Sequence, residues 1–86
     1  MDATRVAYVI MFLRRLGGQK PQCQGGHSCP DVFELTSGDF AVIGSDITSE
    51  ATGLLPAGSG CGPGERIVRI PRTTLIAARA DIPATV

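Results

Sequence analysis

The sequence predicts an α+β fold: a small antiparallel β-sheet built on one hairpin, a C-terminal helix packed on that sheet, and an N-terminal helix. Three observations predict it. Residues 32–47, VFELTSGDFAVIGSDI, form two runs of strand formers that fold back at Ser37-Gly38-Asp39. Residues 65–70, ERIVRI, form a third β-branched run that Pro71 stops. Residues 72–80, RTTLIAARA, then place Leu75, Ile76 and Arg79 at helical spacing before Pro83.

The hairpin comes first because its turn sets the register. Only Ser37-Gly38-Asp39 can take positive φ cheaply. Two two-residue turns are open, one placing Leu35 opposite Phe40 and the other placing Leu35 opposite Val42. Both put Phe33, Leu35, Phe40 and Val42 on one face, because strand side chains alternate. A three-residue loop would set Glu34 among Phe40 and Val42, and burying a carboxylate there costs several kcal/mol, so the even loop is expected. The expected core is Phe33, Leu35, Phe40, Val42, Val68, Ile70, Leu75 and Ile76. Asp46 to Leu55 holds room for one short helix, capped by Thr48 or Ser49, with Glu50 in its first turn.

Upstream, residues 6–13 are the longest apolar run. It is too short to span a bilayer. Arg14-Arg15 followed by Gly17-Gly18 is the wrong flank for a signal sequence, so a cytoplasmic protein is expected. Val6, Val9, Ile10 and Leu13 fit a helix stripe; Val6, Tyr8, Ile10 and Phe12 fit a strand. Gly17-Gly18 as a stop and two arginines in the last turn favour the helix. The organisation that follows is an apolar N-terminal segment (1–18), a linker rich in Gly, Gln and Cys (19–30), one α+β domain (31–82) and a tail (83–86).

With 86 residues the chain holds one domain with a thin core, the kind that a metal, a partner or a second copy commonly helps. Eight basic and eight acidic residues balance, which argues against binding nucleic acid or a membrane surface through bulk charge. The charges are segregated: residues 31–50 carry only acids, while Arg66, Arg69, Arg72 and Arg79 lie downstream. An acidic hairpin beside a basic C-terminal part of the same domain is the expected arrangement.

The residues with most chemical potential are Cys23, His27, Cys29 and Cys61, all in glycine-rich loops. Thiolate and imidazole are zinc ligands, and four of them close a structural site. The C-x3-H-x-C spacing lacks the C-x2-C pair of strong zinc motifs. Free thiols are the bland alternative, and three cysteines do not make a disulfide framework. Cys61 with His27 is the minimum for a cysteine nucleophile and its base, with no third group to orient the pair. The loop 58–64, GSGCGPG, lacks the Lys-Ser/Thr ending of a phosphate cradle.

Cys29-Pro30-Asp31-Val32, the run from Ser37-Gly38-Asp39-Phe40 to Gly44, and Gly64-Glu65 followed by Arg66 to Pro71 resemble the pattern of a group of short actinobacterial proteins. The resemblance covers residues 29–80. It implies a hairpin, a strand and a Pro-led helix, and genes often placed near small helix-turn-helix regulators; it assigns no site residues. The function expected from all this is a non-enzymatic interaction or accessory protein. It would partner a transcriptional regulator or associate with itself, without contacting nucleic acid or membrane directly. A zinc-stabilised structural domain using Cys23, His27, Cys29 and Cys61 is the alternative.

Overall fold

A computed structural model describes residues 11–18 and 29–85. The fold is α+β. Strands β1 (Phe12–Leu16), β2 (Asp31–Leu35) and β3 (Phe40–Ile43) form an antiparallel sheet in the order β1-β2-β3. After Gly44 the chain continues into β4 (Ser45–Asp46), helix α1 (Thr48–Ala51) and a 3-10 turn (Thr52–Leu54). A long loop leads to β5 (Val68–Arg69), which pairs with β4 in a separate two-stranded ladder, and helix α2 (Arg72–Arg79) follows. The third strand expected over residues 65–70 is thus shorter and lies outside the main sheet.

Residues 12–16 are a strand, which corrects the helix expected for residues 1–18; the earlier part of that segment lies outside the described residues. Tertiary pairing decides between two periods that the residues satisfy equally well. β1 has a neighbour to bond with: Thr36 N–H donates to the Met11 carbonyl at 3.0 Å. A bulge between Phe12 and Arg14 shifts the register, after which Arg14, Arg15 and Leu16 face Glu34, Phe33 and Val32.

The hairpin turns through Thr36-Ser37-Gly38, the three-residue loop that the sequence argues against. Leu35 N–H donates to the Asp39 carbonyl at 2.9 Å, and Gly38 N–H donates to the Leu35 carbonyl at 3.0 Å. Gly38 takes φ +94°, as the last position of such a loop requires. Val32 therefore faces Val42, and Glu34 faces Phe40. The argument from burial fails because its premise does: Phe40 and Val42 stay 42% and 43% exposed. Glu34 is not stranded either, since its carboxylate lies 3.0 Å from the Arg14 guanidinium.

The core is correspondingly small and sits elsewhere. Leu16, Val32 and Ala78 are buried, with Ile70 packed against them. Of the eight expected core residues, Ile70 alone reaches this cluster. Phe33 and Leu35 are half-buried on the opposite face of the sheet, while Phe40, Val42, Val68, Leu75 and Ile76 are exposed. The cause is how closely α2 approaches. It lays Thr74 and Ala78, four residues apart, against β1 and β2. A Cβ at Gly17 would lie 3.0 Å from the Ala77 carbonyl carbon, so only small side chains fit between helix and strand. Leu75 and Ile76 are rotated outward as a result.

Ion pairs join β1 to β2. Arg15 Nε lies 2.9 Å from the Asp31 carboxylate, which is buried, and Arg15 also sits over the Phe33 ring at 5.5 Å. Phe33 meets Phe12 edge-on, with centroids 5.1 Å apart. The acids of the first hairpin strand are therefore matched by Arg14 and Arg15, not by the basic C-terminal part.

Candidate protein-interaction surface

The outer edge of β3 and β4 is the most distinctive surface, and backbone pairing defines it. In an antiparallel ladder, residues alternately bond toward and away from the neighbouring strand. The Leu35–Asp39 bond and the register place Asp39, Ala41 and Ile43 with their backbone groups toward β2. Ile47 N–H donates to the Ile67 carbonyl at 2.9 Å, so Ser45 and Ile47 bond toward β5. Cys29 and Pro30, just before β2, and Arg69 and Ile70, at and just past the end of β5, line one shared groove, which places both on the same side of the strand. The even residues Phe40, Val42, Gly44 and Asp46 consequently offer their N–H and C=O groups on the other side. No described strand pairs with them there.

Among the described residues this edge carries little protection: Asp46 is charged, and Pro83, Ala84 and Thr85 share a groove with Phe40. Folded proteins blunt exposed edges with lysine, proline, a bulge or a covering segment. β3 reads Phe-Ala-Val-Ile, without charge or proline, and its Phe40, Val42 and Ile43 side chains are exposed. A second apolar patch opens at the start of β1, where Met11, Phe12 and Leu13 are each more than half exposed.

The shared groove has a volume of about 370 Å³. Its polar side chains are Ser45 and Arg69. At its floor the chain of Arg69 and Ile70 passes over Gly44: a Cβ there would stand 2.6 Å from the Arg69 carbonyl oxygen and 2.8 Å from Ile70 Cγ2. Gly44 is thus the crossing point that lets β5 lead into α2 above the sheet. The sequence shows this glycine but not the backbone it must clear.

Next to the edge, Thr48 ties two segments together. Its hydroxyl accepts the Ile67 N–H at 2.8 Å, and its own N–H donates to Asp46 Oδ1 at 3.0 Å. Asp46, one residue before the Ile47 position that precedes α1, therefore serves the helix start that Thr48 or Ser49 was expected to cap. The Thr48 hydroxyl and then the Thr48 N–H, with the charge of Arg66 adding less, hold the Asp46 carboxyl below the ordinary aspartate value. A carboxylate depressed in the folded state stabilises above its unfolded pKa, and that contribution disappears as pH falls through the folded value. NMR titration of Asp46 should show a midpoint below the ordinary aspartate value, and Asp46→Asn should remove this part of the acid sensitivity. A midpoint at or above the ordinary value would refute the assignment.

The four expected zinc ligands are placed as follows. Cys23 and His27 lie outside the described residues. Cys29 is disulfide-bonded, which corrects the expectation of free thiols, since pairing depends on proximity in the fold and not on cysteine count. A disulfide sulfur offers no thiolate, so a tetrahedral site would require Cys29 in its reduced form. Cys61 is a free, half-buried thiol whose Sγ donates to the Glu65 carbonyl at 3.4 Å. The Glu65 carboxylate accepts the Gly62 N–H at 2.8 Å, and the two bonds close the loop on itself. Among the described residues, no three His, Cys, Asp or Glu side chains gather as a metal site, and no helix is long and apolar enough to cross a membrane. No family model, no curated protein and no solved structure matches the chain.

Proposed function

We propose that this chain is a non-enzymatic interaction or accessory protein that works by covering its open apolar surface with another protein. One observation carries the proposal: among the described residues three apolar side chains are buried, while Met11, Phe12, Leu13, Phe40, Val42 and Ile43 are all more than two-fifths exposed. Exposed apolar patches of this kind, here one on β3 and one at the start of β1, mark contact sites in soluble proteins. The resemblance noted above favours a transcriptional regulator as the partner class, and cytoplasmic location goes with it.

Deletion of residues 1–18 would be a poor test, because it removes β1 and the core residue Leu16. Leu13 is better. It lies at the β1 bulge, is 57% exposed and is not part of the core cluster. Full-length protein should run above monomer mass by light scattering or retain a partner in native pull-down. Leu13→Asp should reduce capture of the partner, with an unchanged circular dichroism spectrum. A monodisperse wild-type monomer that captures nothing would defeat the proposal.

A further inference from the structure

We infer that the β3–β4 edge binds a second copy of this chain, edge to edge about a two-fold axis through Val42, to give a continuous six-stranded sheet. The inference rests on the interaction reading above and names its partner. It starts from the backbone. The outward-facing groups belong to Phe40, Val42, Gly44 and Asp46, and the first three are spaced symmetrically about Val42. An antiparallel pair with a perpendicular two-fold must set one residue opposite itself. With Val42 opposite Val42, Phe40 of each copy pairs with Gly44 of the other. All three outward residues then form hydrogen-bonded pairs.

Side-chain size fits the same register. Phe40 falls opposite Gly44, and Ala41 falls opposite Ile43, so each large residue meets a small one. The space beside Gly44 is already filled by the Arg69 carbonyl and Ile70 Cγ2, so a Phe40 ring opposite Gly44 meets a position with no side chain of its own and an isoleucine methyl close by. Charge also permits it. Asp39 would lie opposite Ser45, and Asp46 opposite Gly38, so no two carboxylates stand directly across from each other. A like-sized edge of β1 carries Arg14 and Arg15, and its two-fold pairing about Arg14 would set arginine against arginine.

An edge of this length buries much less than the roughly 1,200 Å² of a stable specific interface, so the dimer should be weak and concentration-dependent. Light scattering and sedimentation on full-length protein from about 10 μM to about 1 mM span the relevant range of weak dissociation constants. The mass should climb from one chain toward two. Over the same range, amide exchange at Phe40, Val42 and Gly44 should slow, while Ala41 and Ile43, already bonded to β2, should not change. That alternation needs no variant and reads the edge directly.

Val42→Lys and Val42→Glu supply the second arm, because each sets like charges across the axis. Either variant alone should stay monomeric; mixed in equal amounts, they should associate at about tenfold lower concentration than either alone. A monomer at every concentration overturns the dimer and leaves partner capture to judge the broader proposal. A dimer whose Phe40, Val42 and Gly44 amides gain no protection, or which both variants leave intact, overturns the edge alone.

Discussion

Gly44→Ala should be among the most damaging single substitutions in the chain, lowering stability by about 3 kcal/mol or preventing folding. The added methyl would stand 2.6 Å from the Arg69 carbonyl oxygen, and that oxygen belongs to backbone, not to the movable end of a side chain. Either β4 and β5 must separate or Ile70 must leave the core cluster with Leu16, Val32 and Ala78. Thermal unfolding would show the loss, and proton NMR would show Ile70 methyl signals moving toward random-coil positions. Gly53, where an added Cβ meets nothing, is the control: Gly53→Ala should change stability by no more than about 1 kcal/mol, since it only trades glycine for a better helix former. Equal effects at the two positions would mean that the crossing at Gly44 is misplaced.

Arg15→Met should cost about 3 kcal/mol and Arg14→Met less, about 1–2 kcal/mol, although both arginines sit on β1 and both pair with an acid of β2. The difference lies in what is left behind. Without Arg15, the Asp31 carboxylate, 3% exposed in the native chain, loses its ion-pair partner and keeps the Val32 N–H at 3.2 Å. The Phe33 ring also loses the guanidinium above it, a contact of about 0.5–1 kcal/mol. Glu34, by contrast, is 15% exposed and keeps some access to water when Arg14 is removed, while the Asp81 carbonyl loses a donor. Arg15→Met combined with Asp31→Leu should regain much of the lost stability, because an apolar pair of similar size can replace a buried ion pair. Denaturant unfolding of the four proteins completes the cycle. A double variant no better than Arg15→Met would show that the carboxylate is not the source of the loss.

How much of this was legible in the sequence depends on the element. The hairpin strands and α2 could be read because β-branched runs, Gly38 and Pro71 each have one dominant structural meaning. The register could not, because a loop of two and a loop of three differ only in whether Thr36 pairs. The rule used to choose, that Phe40 and Val42 must be buried, holds for sheets with a covered face and this one is covered only at its Leu16–Val32 end. β1 was missed because its decisive partner, β2, lies beyond a linker. Asp31 looked like an ordinary strand-leading acid, yet it is the buried ion-pair residue, and no local pattern announces that. The interaction edge was hidden for a related reason: which residues bond outward follows from register, so an error of one residue there exchanges the two sets.

Asp81, just past α2, closes a long loop in the chain. Its carboxylate accepts the Gly17 N–H at 2.8 Å, and its carbonyl accepts from Arg14 Nη2 at 2.7 Å. The end of the first described strand and the end of the last helix thus share two bonds across more than sixty residues. With β1 and α2 tied in this way, neither element opens alone. Releasing the last turn of α2 unlatches β1, and peeling β1 away frees α2 of its seat on Leu16. The two ends should behave as one cooperative opening unit in native-state exchange. The Val32–Val42 pairing between them then marks the part of the sheet that outlasts this opening.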